Sequence, residues 1–143
     1  MVEEWSKWKP EKMDVLPAAT YLKRLTRDDD LLLISFETEE EGKLVNVTFN
    51  KFVFSYRSTD EGNRLKLLVD LNIKYGEDFY KDWRFFKIKN SPYIRWLHEE
   101  NCGIYREEDI YHFVFVTNME LIEVLATYDP EVKIVELHSE IEK

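Results

Sequence analysis

Lys43-Leu44-Val45-Asn46-Val47-Thr48-Phe49 sets Val45, Val47 and Phe49 against Leu44, Asn46 and Thr48. Successive side chains leave a strand on opposite faces, so this alternation predicts a strand with one face buried. The stretch before it, Leu31-Leu32-Leu33-Ile34-Ser35-Phe36-Glu37, predicts a second strand, followed by an acidic turn that Gly42 closes. Further out, residues 20–26 read as a strand ended by the turn-like Arg27-Asp28-Asp29-Asp30. Phe52-Val53-Phe54-Ser55-Tyr56-Arg57 reads as another after the short turn at Asn50-Lys51. Connections this short point to antiparallel pairing, because parallel neighbours need a crossover of a dozen residues or more.

The second half adds helices. Residues 63–75 fit two periods: Leu65, Leu68, Val69 and Asn72 share a helical face, with Leu67 and Leu71 widening it. Leu65, Leu67, Val69, Leu71, Ile73 and Tyr75 also alternate as a strand would. The capping oxygens of Ser58, Thr59, Asp60 and Glu61, the leucine and lysine content, and Gly76 at the far end favour the helix. A helical turn at 77–82 and a strand at 83–89 follow. In Ser91-Pro92-Tyr93-Ile94-Arg95-Trp96-Leu97-His98-Glu99-Glu100-Asn101-Cys102-Gly103, Ser91 is the expected N-cap and Pro92 the first helical residue. Gly103 stands where a left-handed C-cap belongs, and Tyr93, Trp96, Leu97 and Glu100 form one face. Residues 111–117 predict a strand. Residues 119–127 read as its hairpin partner, although Thr117-Asn118-Met119-Glu120 also spells a helix-capping box. Residues 132–137 form a last extended segment after Asp129-Pro130. The expected fold is α+β: an antiparallel sheet of six or seven strands with two or three helices packed against it.

With 143 residues, 44% hydrophobic and 15% aromatic, the chain is expected to form one domain over 1–143, with residues 1–19 as a loosely ordered leader. The formal charge of −9 disfavours nucleic acid as a partner and suits a basic protein; acidity also serves solubility by itself. Gly42, Gly62, Gly76 and Gly103 are scattered, so none remains for a phosphate-cradling loop. The first residues lack the apolar core of a secretion signal, and no apolar run is long enough for a bilayer, so no membrane partner is expected. A lone cysteine fits a reducing compartment, and the cytoplasm is the expected location.

His98 and Cys102 are four residues apart, a spacing that puts two soft metal ligands on one helix face, with His112 as a third candidate. The second histidine of a zinc-binding His-Glu-x-x-His helix is missing, and there is no Cys-x-x-Cys pair. A Cys102–His112 nucleophilic pair meets the objection that a thiol at a helix C-terminus beside Glu99 and Glu100 is not activated. The plainer expectation has Cys102 as a packing residue and His98 as a helix-end residue; no metal or other cofactor is expected. Arg57 is expected to pin its turn by pairing with Asp60 or Glu61. Trp5 and Trp8 are weighed as a flap packing over the sheet. The candidate partner-binding residues are Trp96, Glu99 and Glu100.

Phe54-Ser55-Tyr56-Arg57-Ser58-Thr59-Asp60-Glu61-Gly62 resembles a Ser-Tyr-Arg-x-x-Asp-Glu-Gly stretch of small uncharacterised bacterial proteins. Phe86-Lys87-Ile88-Lys89-Asn90-Ser91-Pro92-Tyr93-Ile94-Arg95-Trp96-Leu97, with His112-Phe113-Val114-Phe115-Val116-Thr117 and Ile122-Glu123-Val124-Leu125, is similar to their second half. The resemblance covers residues 20–137 and implies a shared fold without implying catalytic residues. Some small acidic bacterial proteins of this type are immunity partners of toxins. The functional expectation is therefore non-catalytic protein binding, of the immunity type. The alternatives are a small-ligand domain with a pocket between sheet and helix, and a hydrolase or metalloenzyme using His98, Cys102 and His112.

Overall fold

A computed structural model describes residues 3–11, 13 and 15–137. The described chain is α+β, with nine strands in two antiparallel sheets and two helices. The strands are β1 (Glu4–Lys7), β2 (Ala19–Asp28), β3 (Leu31–Thr38), β4 (Lys43–Phe49), β5 (Ser55–Asp60), β6 (Phe85–Lys89), β7 (Tyr111–Val116), β8 (Glu120–Ala126) and β9 (Glu131–Glu136). The helices are α1 (Leu65–Tyr75) and α2 (Pro92–Glu100). Strands β2-β3-β4-β9 form one sheet and β1-β6-β7-β8-β5 the other. Among the described residues no helix is long and apolar enough to cross a membrane.

Two sheets rather than one follow from burial. Every residue of β7 after Tyr111 is buried, and so is every residue of β8 after Glu120. Strands apolar on both faces need cover on both sides. One face meets the other sheet, where Phe113, Phe115, Ile122 and Val124 pack with Phe36, Val45, Val47 and Phe49 in one core. The opposite face meets the helices. Leu71 of α1 lies on Phe86, Ile88, Val114 and Leu121, whereas Tyr93 and Ile94 of α2 lie on Ile110 and Leu125.

Several expectations are corrected. The single sheet is two, and the strand expected at 52–57 starts only at Ser55, because residues 50–54 carry the chain from one sheet to the other. The segment expected as a loose leader supplies β1, which pairs with β6, and both Trp5 and Trp8 are buried. Four residues are too short for a periodic pattern to register. The two ambiguous segments resolve as helix at Leu65–Tyr75 and strand at Glu120–Ala126. In the latter, Thr117 still caps: its Oγ1 accepts the Glu120 N–H at 2.9 Å, but closes a hairpin turn.

Helix α2 starts as its residues dictate, with the Ser91 hydroxyl accepting the Ile94 N–H at 3.0 Å and Pro92 in the first turn. Regular helix stops at Glu100, three residues before the glycine. Cys102 (φ +57°) and Gly103 (φ +73°) both take left-handed backbone, and the Gly103 N–H closes on the His98 carbonyl at 2.9 Å.

Phe115 packs at the centre of the sandwich against Phe36, Phe49 and Phe85. Phe115→Ala is expected to cost about 3–5 kcal/mol. Urea unfolding should show the loss as a lowered midpoint with little change in slope.

Candidate functional site

The face of the second sheet beneath α2 carries a carboxylate where its neighbours are apolar. Glu123 sits mid-strand in β8, 1% exposed, opposite Arg57 of β5 and Val114 of β7. Arg57 grips it with two bonds, Nε to Oε2 at 2.8 Å and Nη2 to Oε1 at 3.1 Å, the paired geometry that a planar guanidinium offers a carboxylate. Arg64, in the turn before α1, donates from Nη1 to Oε2 at 2.7 Å. His112 Nε2 lies 2.9 Å from Oε1. Burial alone would push the Glu123 carboxyl up. The hydrogen bonds and charge supplied by His112 and Arg57 outweigh burial and hold it well below the usual carboxylate range.

The chain of contacts continues outward. His112 Nδ1 is 2.6 Å from the Ser91 hydroxyl, which also caps α2. Tyr93, in the first turn of α2, edges onto the His112 ring and shares a 2.5 Å hydrogen bond with Ser55 of β5. Burial pushes the Tyr93 phenol up, with the Ser55 bond and the Arg57 charge opposing. The Arg57 guanidinium lies 4.0 Å from the Tyr93 ring centre, a cation–π contact. Strand β5, the turn before α1, strands β7 and β8 and the start of α2 therefore meet at one carboxylate.

Ser91, His112 and Glu123 are linked in the order of a serine-hydrolase relay, in surroundings that differ from those of one. A relay carboxylate must stabilise the imidazolium formed when histidine takes the serine proton. Glu123 here also shares its charge with two guanidiniums. Ser91 is 3% exposed, and its oxygen is committed to the Ile94 N–H. The cluster is a cross-link.

This replaces the expected pin. Arg57 pairs with Glu123 rather than with Asp60 or Glu61. The strand runs on to Asp60, and residues three apart in a strand face opposite sides. Asp60 instead accepts the Gly62 N–H at 3.3 Å, and Glu61 opens a short 3-10 turn. Nor are His98, Cys102 and His112 brought together. His98 approaches Glu107 at 3.7 Å, Cys102 is exposed, and His112 is buried behind Ser91. Among the described residues no group of three His, Cys, Asp or Glu side chains is placed to hold a metal ion. Glu123 and Arg64 were not singled out from sequence, although one charge in a run as apolar as Leu121-Ile122-Glu123-Val124-Leu125 was the available signal.

The cross-link supports an exposed edge. Trp96 is 49% exposed, and Glu99 and Glu100 are exposed beside it. Leu97 packs in one cluster with Phe54, whose ring meets Phe52 at 5.3 Å and Tyr105 at 4.7 Å. Phe52, Ile104 and Tyr105 are exposed. Under the other side of α2, a cavity of about 620 Å³ is lined by Ile88, Ser91, Ile94, Ile110 and His112, with Lys89, Arg95, Glu107 and Glu108. Comparison with family models, curated proteins and solved structures finds no match.

Glu123→Gln keeps the shape and removes the charge, leaving two guanidiniums without a counter-ion. A loss of about 3–5 kcal/mol is expected. A carboxylate whose folded pKa is depressed contributes stability above the ordinary carboxylate range, lost as pH falls through that range towards the folded value. Wild-type stability should therefore decline on acidification below about pH 5. The decline should be shallower in Glu123→Gln, as chemical denaturation at a series of pH values would register.

Proposed function

We propose that this chain acts by non-catalytic binding of a basic protein, in the manner of an immunity-type inhibitor. The observation that carries this reading is the exposed edge of α2, where Trp96, Phe52, Ile104 and Tyr105 are exposed around the same helix as Glu99 and Glu100. Large aromatic side chains are the usual anchors of protein interfaces, and acids around them steer a basic partner into place. A net charge of −9 adds long-range attraction to such a partner. The cross-link at Glu123 supports the same reading, since a prearranged surface loses less freedom on docking. The lone cysteine, exposed at Cys102, suits a reducing compartment such as the cytoplasm.

A second reading rests on the cavity beneath α2, which combines isoleucine walls with the polar side chains of Asn90, Arg95 and Glu107, the make-up of a small-ligand pocket. Native mass spectrometry of the purified chain separates the two. A bound small molecule that disappears in Arg95→Ala would favour the pocket.

For the protein partner, the wild-type chain serves as bait in a lysate of its source organism, and binding of the captured protein is then measured. Trp96→Ala is expected to weaken binding by about 30-fold or more. Glu99→Lys with Glu100→Lys is expected to slow association chiefly at low salt, where screening is weak. Equal binding by all the variants, or an acidic captured protein, would overturn the proposal.

A further inference from the structure

Strand β5 is a free edge of the five-stranded sheet: it pairs with β8 on one side and, among the described residues, with no strand on the other. Such an edge offers a row of backbone N–H and C=O groups to any extended chain. Folded proteins blunt it with short strands, bulges, proline or charge. The other three edges are blunted in this way. Strand β1 is four residues long, and β2 is irregular at Ala19/Tyr21 and Leu22/Arg24 and carries Lys23, Arg24 and Arg27. Strand β9 follows Pro130 and carries Glu131, Lys133 and Glu136. Strand β5 has none of these devices. Over Ser55–Asp60 its pairing with β8 is unbroken, it lacks lysine and proline, and Arg57 turns its guanidinium onto Glu123.

The register gives the direction of each backbone group. The Glu61 N–H bonds the Met119 carbonyl at 2.8 Å, and successive residues of an antiparallel strand turn their backbone groups to alternate sides. The backbones of Ser55, Arg57 and Thr59 therefore face β8, and Tyr56 and Ser58 present their N–H and C=O groups outward. Ser58 is exposed and Tyr56 is 36% exposed, so a strand added here meets an aromatic ring across the ladder. Charge selects the strand. The cations of β5 and of the turn after it, Arg57 and Arg64, are both bound to Glu123. The acids at the end of β5, Asp60 and Glu61, are exposed and meet no cation among the described residues. Beyond the other end, Phe54 packs with Leu97 of α2, the helix that bears Trp96, Glu99 and Glu100. The edge is thus continuous with the surface assigned to a basic protein, and the charge left free along it is negative.

Resting on the protein-binding reading, we infer that β5 takes an extended basic segment of that partner as an added strand of the five-stranded sheet. Main-chain hydrogen bonds supply the affinity of such strand addition, and the side chains of alternate residues supply its specificity. The two-bond contact between Arg57 and Glu123 fixes the register of β5, so its outward donors and acceptors are in place before the partner arrives.

A synthetic hexapeptide of alternating lysine and valine, acetylated and amidated, is the probe, titrated to millimolar concentration into the isotope-labelled full chain and followed by NMR. The expected result is saturable shifts of the Tyr56 and Ser58 amides, with their hydrogen exchange slowed about ten-fold or more at saturation. Ser58→Pro removes an outward N–H and leaves the ladder to β8 intact. It should weaken binding by about ten-fold or more, whereas Ser58→Ala should bind as the wild type does. The exchange measurement uses the wild-type chain and so stands even if Ser58→Pro fails to fold. A peptide of alternating glutamate and valine should bind more weakly by about ten-fold or more. Unmoved β5 amides would overturn the inference, as would equal binding by folded Ser58→Pro and Ser58→Ala, or equal binding of the two peptides. The captured protein separates this failure from that of the underlying reading. A basic protein whose binding falls in Trp96→Ala but not in Ser58→Pro would remove strand addition alone. A wild-type dimer that Ser58→Pro returns to 17.3 kDa in sedimentation would give the edge to a second copy and overturn the inference as well.

Discussion

The carboxylate of Glu123 is the point on which this structure turns. A charge taken from water into a sheet interior carries a desolvation cost of several kcal/mol unless its oxygens are fully engaged. Here Oε1 meets Arg57 and His112, and Oε2 meets Arg57 and Arg64. The donors come from three separate parts of the chain: β5, the turn leading into α1, and β7. None of them can move without exposing an unmet charge. Hydrophobic burial would tolerate a small slip of β5 along β8, but the two-bond contact between Arg57 and Glu123 does not. It holds the edge strand in a single register.

The same cluster explains why α2 begins where it does and what it carries. Ser91 caps the helix and meets His112 with the same oxygen, and Tyr93 binds Ser55 while lying beneath the Arg57 guanidinium. The start of α2 is therefore tied to the sheet by polar contacts, and its later residues stay free for the surface. Its outer edge combines aromatic side chains with acids, whereas α1 exposes aliphatic side chains beside lysines. The two helices share one face of one sheet but differ in surface chemistry.

What could be read along the chain is local. Val45, Val47 and Phe49 reveal β4 because alternation is a property of neighbouring residues, and its predicted limits match those observed. Ser91 and Pro92 reveal the start of α2 because a cap works within one turn. The stop was less legible: Gly103 is left-handed as expected, but Cys102 takes that conformation too, and regular helix ends at Glu100. Residues 63–75 fitted two periods. Helix won because Leu67, Leu68, Leu71 and Tyr75 together give the sheet one continuous apolar stripe.

By itself the sequence determined the mixture of helix and antiparallel strand, most element positions and the acidic character of the surface, all of which depend on composition or on spacing within a few residues. The tertiary structure alone decided that the strands divide into two sheets. It also decided that Arg57 answers Glu123, 66 residues away, rather than the nearer Asp60. Both outcomes follow from which faces are buried against one another. A strand turns alternate side chains to opposite sides, so Asp60 was close in sequence but on the wrong face. Glu123, distant in the chain, lay directly across the ladder.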